Sequence, residues 1–332
     1  HQTSIGFCVY GSGEYTEQKQ DGQEQMPLAY YTSEEHFSHF TDEDHPEHAM
    51  RIMAIEQELK SQGIWEQLIH VNGQSADMPD ILRAHSKGYV EQLHLIQPKH
   101  GHIYVDEDTA MAPGSLNAAL WSAGSCTLAL DDLVKGEQNR AFVATRPPGH
   151  HAEHRKAMGF CFFNNVAITA LRAADIHHFQ RIALLDFDAH QGNGTIDILG
   201  NDQRFLICSS FQHPFYPYTH YEQSRFNNLI NVPLSSGTGS ATFRAAIEEH
   251  WLPALKSYAP ELIIVSAGFD GHKDDPMAEL NLLDSDYDWL GRMIDGIAAA
   301  RNTPVLSILE GGYDLNALGR SVAAYLTGLQ TN

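Results

Sequence analysis

The sequence predicts an α/β fold with a mostly parallel central sheet flanked by helices, and three observations predict it. Short, near-continuously apolar runs rich in β-branched residues recur along the chain, as strands buried on both faces of a parallel sheet require. Segments with a helical apolar period lie between them. The two kinds alternate, which is the order of strand–helix–strand crossovers.

In chain order, a helix is expected from near Pro46, carrying Ala49, Ile52, Met53 and Leu59 and stopping at Gly63. Ser115 is expected to cap a second helix, in which Leu116, Ala119, Leu120, Ala123, Thr127, Leu130 and Val134 form one stripe and Gly136 ends it. Strands are expected over 141–145, 182–187, 205–209, 229–232, 262–266 and 305–309, and further helices over 165–178, 241–258, 286–301 and 316–329. No repeat at solenoid spacing and no linker rich in Pro, Gly and Ser interrupts this order, so a single domain over 1–332 is the expectation. The polar, aperiodic stretch 11–44 is expected to be extended loop.

With 21 Lys and Arg against 42 Asp and Glu, the formal charge of -21 disfavours nucleic acid or an anionic membrane surface as partner. Acidity of this kind also serves solubility alone. Cys8, Cys126, Cys161 and Cys208 show no C-x-x-C spacing, so neither a disulfide framework nor a thiolate metal knot is indicated, and a reducing, cytoplasmic setting is expected. No apolar run approaches the ~20 residues of a membrane span.

In such a sheet, ligands collect beyond the carboxyl ends of the strands, so the polar residues there are the candidates. The run ending Asp186-Phe187-Asp188-Ala189-His190 alternates ionisable with small or apolar side chains, placing three of them on one side. Buried carboxylates beside an imidazole are resolved most simply by a bound cation, although an Asp-x-Asp pair also serves as an ordinary loop cap. The strand 262–266 delivers Asp270, and Asp188, His190 and Asp270 together leave coordination positions open, as a catalytic site needs. His150-His151 follows Arg146-Pro147-Pro148-Gly149 just past another strand end, where imidazoles can act as general base and acid. The pair alone says little, since the chain has 20 His; His177-His178 is expected at the surface. Glu310-Gly311-Gly312-Tyr313 turns sharply and aims a phenol at the same edge, where it can serve an oxyanion or simply pack.

Taken together and in order, from His45-Pro46-Glu47 through His85, Tyr89, Asp108, His150-His151, Gly159-Phe160-Cys161, the Asp-x-Asp-x-His strand end and Asp270 to Glu310-Gly311-Gly312-Tyr313, these motifs resemble the zinc-dependent histone deacetylase and acetylpolyamine amidohydrolase superfamily. The match spans nearly the whole chain, and Arg146-Pro147-Pro148-Gly149 with Asn193 resembles the class II branch. The resemblance implies a single-domain arginase/deacetylase-like fold and zinc held by Asp188, His190 and Asp270; ferrous iron suits the same donors. It implies His151 as general base and acid, His150 as its electrostatic neighbour, Asp186 orienting His150, Asn193 as partner of His151, and Tyr313 polarising the scissile carbonyl. Gly159 and Phe160 would line an acyl-lysine tunnel with Asp108 at its rim. A potassium ion is implied near Asp186, Asp188, His190 and Ser209. Phe211 and Tyr218 depart from the family pattern and imply a bulkier rim loop. Met277 stands where polyamine-selective relatives carry a glutamate.

The expected activity is hydrolysis of an acylated lysine side chain or a small acylated amine. An acetylpolyamine amidohydrolase is the enzymatic alternative, and a metal-dependent binding protein without turnover the non-enzymatic one. A homo-oligomer is compatible with the sequence. An arginase-like ureohydrolase would need a second metal site, for which there are too few ligands.

Overall fold

Seven parallel pairings join eight strands in the order β2-β1-β5-β10-β9-β6-β7-β8. These strands are β1 (Ala29–Thr32), β2 (Ile69–Asn72), β5 (Arg140–Val143), β6 (Ile182–Asp186), β7 (Phe205–Gln212), β8 (Leu229–Leu234), β9 (Leu262–Ala267) and β10 (Val305–Leu309). A separate antiparallel pair, β3 (Ile103–Tyr104) and β4 (Ala110–Met111), lies outside the sheet. The structure is a computed structural model that describes residues 28–42, 44–219 and 227–330.

Strand side chains alternate between two cores, which is why the runs read as continuously apolar. On β9, Ile263 and Val265 join one cluster, and Leu262 and Ile264 the other. The first cluster is closed by α1 (Met50–Ser61), α7 (Ser240–Tyr258), α8 (Asp284–Ala299) and α9 (Leu315–Gly328). The second is closed by α2 (Met78–Ala84), α3 (Lys87–Ile96), α4 (Ser115–Lys135) and α5 (Asn165–Asp175), with α6 (Asn193–Leu199) at its edge. Helices on both faces of an all-parallel sheet leave its carboxyl edge as the place for chemistry.

All six expected strands lie in this sheet. Within 11–44 the expectation of loop fails at the described end: β1 is buried and sits between β2 and β5, with a 3-10 turn following at Glu34–Ser38. The part 11–27 lies outside the described residues. Ser115 is the first residue of α4 rather than its cap; Gly114 holds that place, and Ser115 Oγ accepts from the backbone N–H of Ala112 at 2.8 Å. Gly136 ends α4 in the left-handed region, φ 81°, where a side chain would be strained. Val134, expected on the apolar stripe, is 41% exposed, whereas the adjacent Leu133 is the residue that the last turn of α4 buries. His177 and His178 lie beyond the end of α5; His177 is half-buried and paired with Asp131 at 2.7 Å, and His178 is exposed. Among the described residues no helix is long and apolar enough to cross a membrane.

Candidate active site

β6, β9, β10 and β5 are neighbours, so the segments after their carboxyl ends meet over one edge of the sheet. After β6 the chain presents Asp188 and His190, and after β9 Asp270; each offers one donor atom, and all three lie within 4.8 Å of one another and are buried. His190 Nδ1 stands 3.1 Å from Asp188 Oδ1 and 2.9 Å from Asp270 Oδ2. Backbone amides fix the carboxylates from behind. Ala189 N–H donates to Asp270 Oδ1 at 2.8 Å and Gly311 N–H to Asp188 Oδ2 at 2.9 Å.

Two glycines form walls of this cradle. A Cβ at Gly268 would stand 2.0 Å from Asp188 Oδ2, and one at Gly311 would stand 2.4 Å from Asp270 Oδ2 and 2.6 Å from Asp188 Oδ2. Burial and the charge of Asp188 push Asp270 upward, whereas Asp188 is held low because His150 and His190 outweigh its own burial. Burial would lower His190 as well, but the carboxylates, Asp270 first, raise it well above its ordinary value. Two buried carboxylates and one imidazole at these distances favour a positive charge in their midst, and the donor set fits a divalent cation.

The segment after β5 places both imidazoles above the cradle. His150 Nδ1 meets Asp186 Oδ2 at 3.0 Å, and its ring centroid lies 4.1 Å from that of His151. Burial would lower His150, yet Asp186, Asp188 and Glu310 overcome it and raise it to about 10. His151 is driven far below its ordinary value by burial, and next by the charges on His150 and His190, so it is a neutral imidazole. His151 Nδ1 meets Asn193 Oδ1 at 2.7 Å. Gly159 lies flat on the ring: a Cβ there would stand 2.4 Å from His151 Cδ2.

Tyr313 enters from the loop after β10, half-buried, its hydroxyl kept protonated by burial above all. Its backbone N–H donates to Asp275 Oδ2 at 2.6 Å, and the Arg51 guanidinium lies 4.8 Å from its ring centroid. Arg51 also donates to Gly312 O at 2.6 Å and to Glu310 O, so this loop is tied down on several sides. Burial, and then Asp270, raise Asp275 to about 7. Burial likewise raises Glu310 to about 7, and its Oε2 accepts from the amides of Gly149 and His150 at 2.7 and 3.1 Å.

A cavity of about 220 Å³ opens onto these groups. Of the residues predicted from sequence, Asp108, His150, His151, Gly159, Phe160, Asp188, His190, Met277 and Tyr313 line it. Asp186, Asn193, Asp270 and Ser209 are buried and do not line it. Phe160 holds φ 68°, a strained backbone for a phenylalanine, with its N–H on Thr109 Oγ1 at 3.1 Å and its ring edge-on to Tyr313 at 5.9 Å. Burial raises the carboxyl of Asp108. Sequence reasoning missed Phe215, stacked on His190 at 5.3 Å, and Tyr216, edge-on to His151 at 5.2 Å. It gave no role to Glu310, Asp275, Arg51 or Glu153. Tyr218 reaches the rim, 75% exposed, but Phe211 does not, being buried within β7.

Comparison with known proteins identifies the family and the fold. A family profile described as the histone deacetylase domain matches residues 45–329. The chain is 36% identical over 309 residues to an uncharacterized protein of Synechocystis sp., covering 91% of this chain and 99% of that one. It is 34% identical over 290 residues to a probable deacetylase of Archaeoglobus fulgidus, covering 85% and 80%. Among solved structures it is similar to the HDA15 HD domain, with a TM-score of 0.86 and 29% identity, covering 92% of this chain and 88% of that one.

Proposed function

This chain belongs to the histone deacetylase family, hydrolases of the amidohydrolase kind, and from that premise we propose that it removes the acyl group from an acylated lysine side chain with the help of one divalent cation, zinc or ferrous iron. The observation that carries the reading is the convergence of Asp188, His190 and Asp270 beneath His151 and Tyr313 at one cavity. The whole stretch 28–330 acts as one catalytic unit, because the groups come from loops after β5, β6, β9 and β10 of a single sheet.

Asp188, His190 and Asp270 would hold the cation, which when bound would supply a Lewis acid for the amide carbonyl and for a nearby water. His151, neutral and buried, takes the proton of the attacking water and later delivers it to the leaving amine. His150, cationic against Asp186, keeps positive charge next to the developing oxyanion. The Tyr313 hydroxyl donates a hydrogen bond to that oxygen as it leaves planarity. Phe160, Phe215 and Tyr216 give the cavity aromatic walls suited to a methylene chain, and Asp108 holds the substrate backbone at the rim.

Lysine is favoured over a polyamine because of what lines the cavity. Met277 is a thioether, and of the lining carboxylates Asp188 is committed to the cradle, leaving Asp108 for any second ammonium. A potassium ion fits beside β6: Ser209, in register with Asp186, has a buried hydroxyl without a hydrogen-bond partner among the described residues.

The test is acetate release from acetyl-lysine peptides and from acetylated putrescine, with bound metal assayed in parallel. Peptide turnover is expected to dominate. Tyr313→Phe is expected to lower kcat about 10²- to 10³-fold with cation content retained, and Asp188→Asn to lose both. Metal binding without acetate release from either substrate would replace this reading with that of a binding protein.

A further inference from the structure

We propose that Glu153 is a positioning residue of the reaction: it locks the side-chain amide of Asn193 in the one orientation that gives His151 the tautomer a general base requires. This rests on the role of His151 stated above.

The two faces of an asparagine amide are nearly the same shape but opposite in hydrogen-bonding sense, so something must decide which of them meets His151. A carboxylate in that place would need no such help, since both of its oxygens accept. With Oδ1 at 2.7 Å from His151 Nδ1, the imidazole donates from Nδ1 and keeps a lone pair on Nε2. Flipped, the amide would donate to Nδ1, force the ring proton onto Nε2, and leave no base.

The far side of the amide decides. Asn193 Nδ2 lies 2.8 Å from Glu153 Oε1, with the weaker acceptors Met158 Sδ at 3.3 Å and His151 O at 3.5 Å beside it. A flip would turn Oδ1 against the Glu153 carboxylate oxygen, a contact between two acceptors in a half-buried place. Glu153 is itself held firmly. Its N–H donates to Lys156 O at 2.9 Å, Lys156 N–H returns to Glu153 O at 3.4 Å, and His85 Nδ1 donates to Glu153 O at 3.0 Å. Asn193 opens α6, and the next two amides, of Gly194 and Thr195, donate to His150 O at 3.0 and 3.3 Å. Both ends of the Glu153–Asn193–His151 chain are therefore anchored to the backbone that carries the imidazoles.

Glu153→Gln keeps the shape but offers either an oxygen or an amide, so the selection is lost. The expected result is a fall in kcat of about tenfold with KM and the thermal unfolding midpoint unchanged, the low end of what losing an outer hydrogen-bond partner does to activity. The same change on an Asn193→Asp background is expected to raise kcat or leave it as it was, because there it removes a repulsion and no selection remains to lose. ¹⁵N spectra of histidine-labelled protein, with His151 assigned from its His151→Gln variant, read the tautomer without turnover: the Nδ1–H form in the parent chain, a mixture in Glu153→Gln. An unaltered kcat and an unaltered tautomer in Glu153→Gln would overturn the proposal, as would an equal loss on both backgrounds. A parent chain that releases no acetate yet shows the Nδ1–H form that Glu153→Gln scrambles would sink the functional reading, and with it any part in the reaction, while leaving the lock of Glu153 on the Asn193 amide standing.

Discussion

At the scale of single residues, the absence of side chains matters as much as their presence. Gly311 and Gly268 press against the oxygens of Asp188 and Asp270, so Gly311→Ala, whose Cβ would stand 2.4 Å from Asp270 Oδ2, must displace a donor or the backbone that carries it. The expected outcome is loss of bound cation with helix content retained, read by metal analysis and circular dichroism; full loading in that variant would contradict the cradle described here. The donors were legible in the sequence because Asp188, His190 and Asp270 follow two apolar strands and together make a ligand set, although either Asp alone could serve as an ordinary loop cap. Glu310, Arg51 and Asp275 were not, since they act through backbone amides and carbonyls of chain segments distant in sequence. Arg51 meets Gly312 across 261 positions. Nothing in the spacing of residues announces such a partner.

At the scale of elements, strand and helix periodicity recovered six of the eight strands of the sheet, β5 to β10, and the long helices, because those elements have a face or two faces largely buried. β2 escaped notice because it is largely exposed over Ile69–Asn72, and β1 because it is only four residues long, Ala29–Thr32. α4 shows how tightly the elements fit. A Cβ on its Gly124 would stand 2.3 Å from Ala76 N and Gln74 O, and Ala76 N–H donates to Leu120 O at 2.9 Å on the same helix. Gly124→Ala is thus expected to destabilise the chain by about 1–3 kcal/mol in urea unfolding, as overpacking against backbone does. Gly88→Ala in α3, where a Cβ meets nothing within 4 Å, is expected to stabilise it by about 0.5–1 kcal/mol. Equal stability of the two variants would show that α4 has slack.

At the scale of the whole molecule, buried histidines set how the fold responds to acid. His85 is lowered to about 4 by burial, its Nδ1 donating to Glu153 O and its Nε2 accepting from Asn164 N–H at 2.9 Å, an arrangement that only a neutral ring satisfies. His36 is also lowered to about 4, again by burial first. An unfolded chain takes up these protons near pH 6.5 and the folded one only near 4, so the stabilisation is present above pH 6.5 and is lost as pH falls through that window. Each histidine contributes up to about 3 kcal/mol to this loss. The unfolding free energy is expected to drop between pH 6.5 and 4.5 by less in His85→Gln than in the parent chain, and identical slopes would assign the acid sensitivity elsewhere.

All of these scales meet where two strand ends bring Asp188, His190 and Asp270 together as a candidate cation site. The most direct test is a crystal of the chain with an acyl-lysine hydroxamate, with anomalous diffraction recorded on both sides of the zinc and iron edges. The account predicts a single divalent peak within bonding distance of Asp188, His190 and Asp270, with the hydroxamate on its open side between His151 and Tyr313. A hydroxamate seated in the cavity with no peak at the three donors, or a peak bound elsewhere, would contradict it.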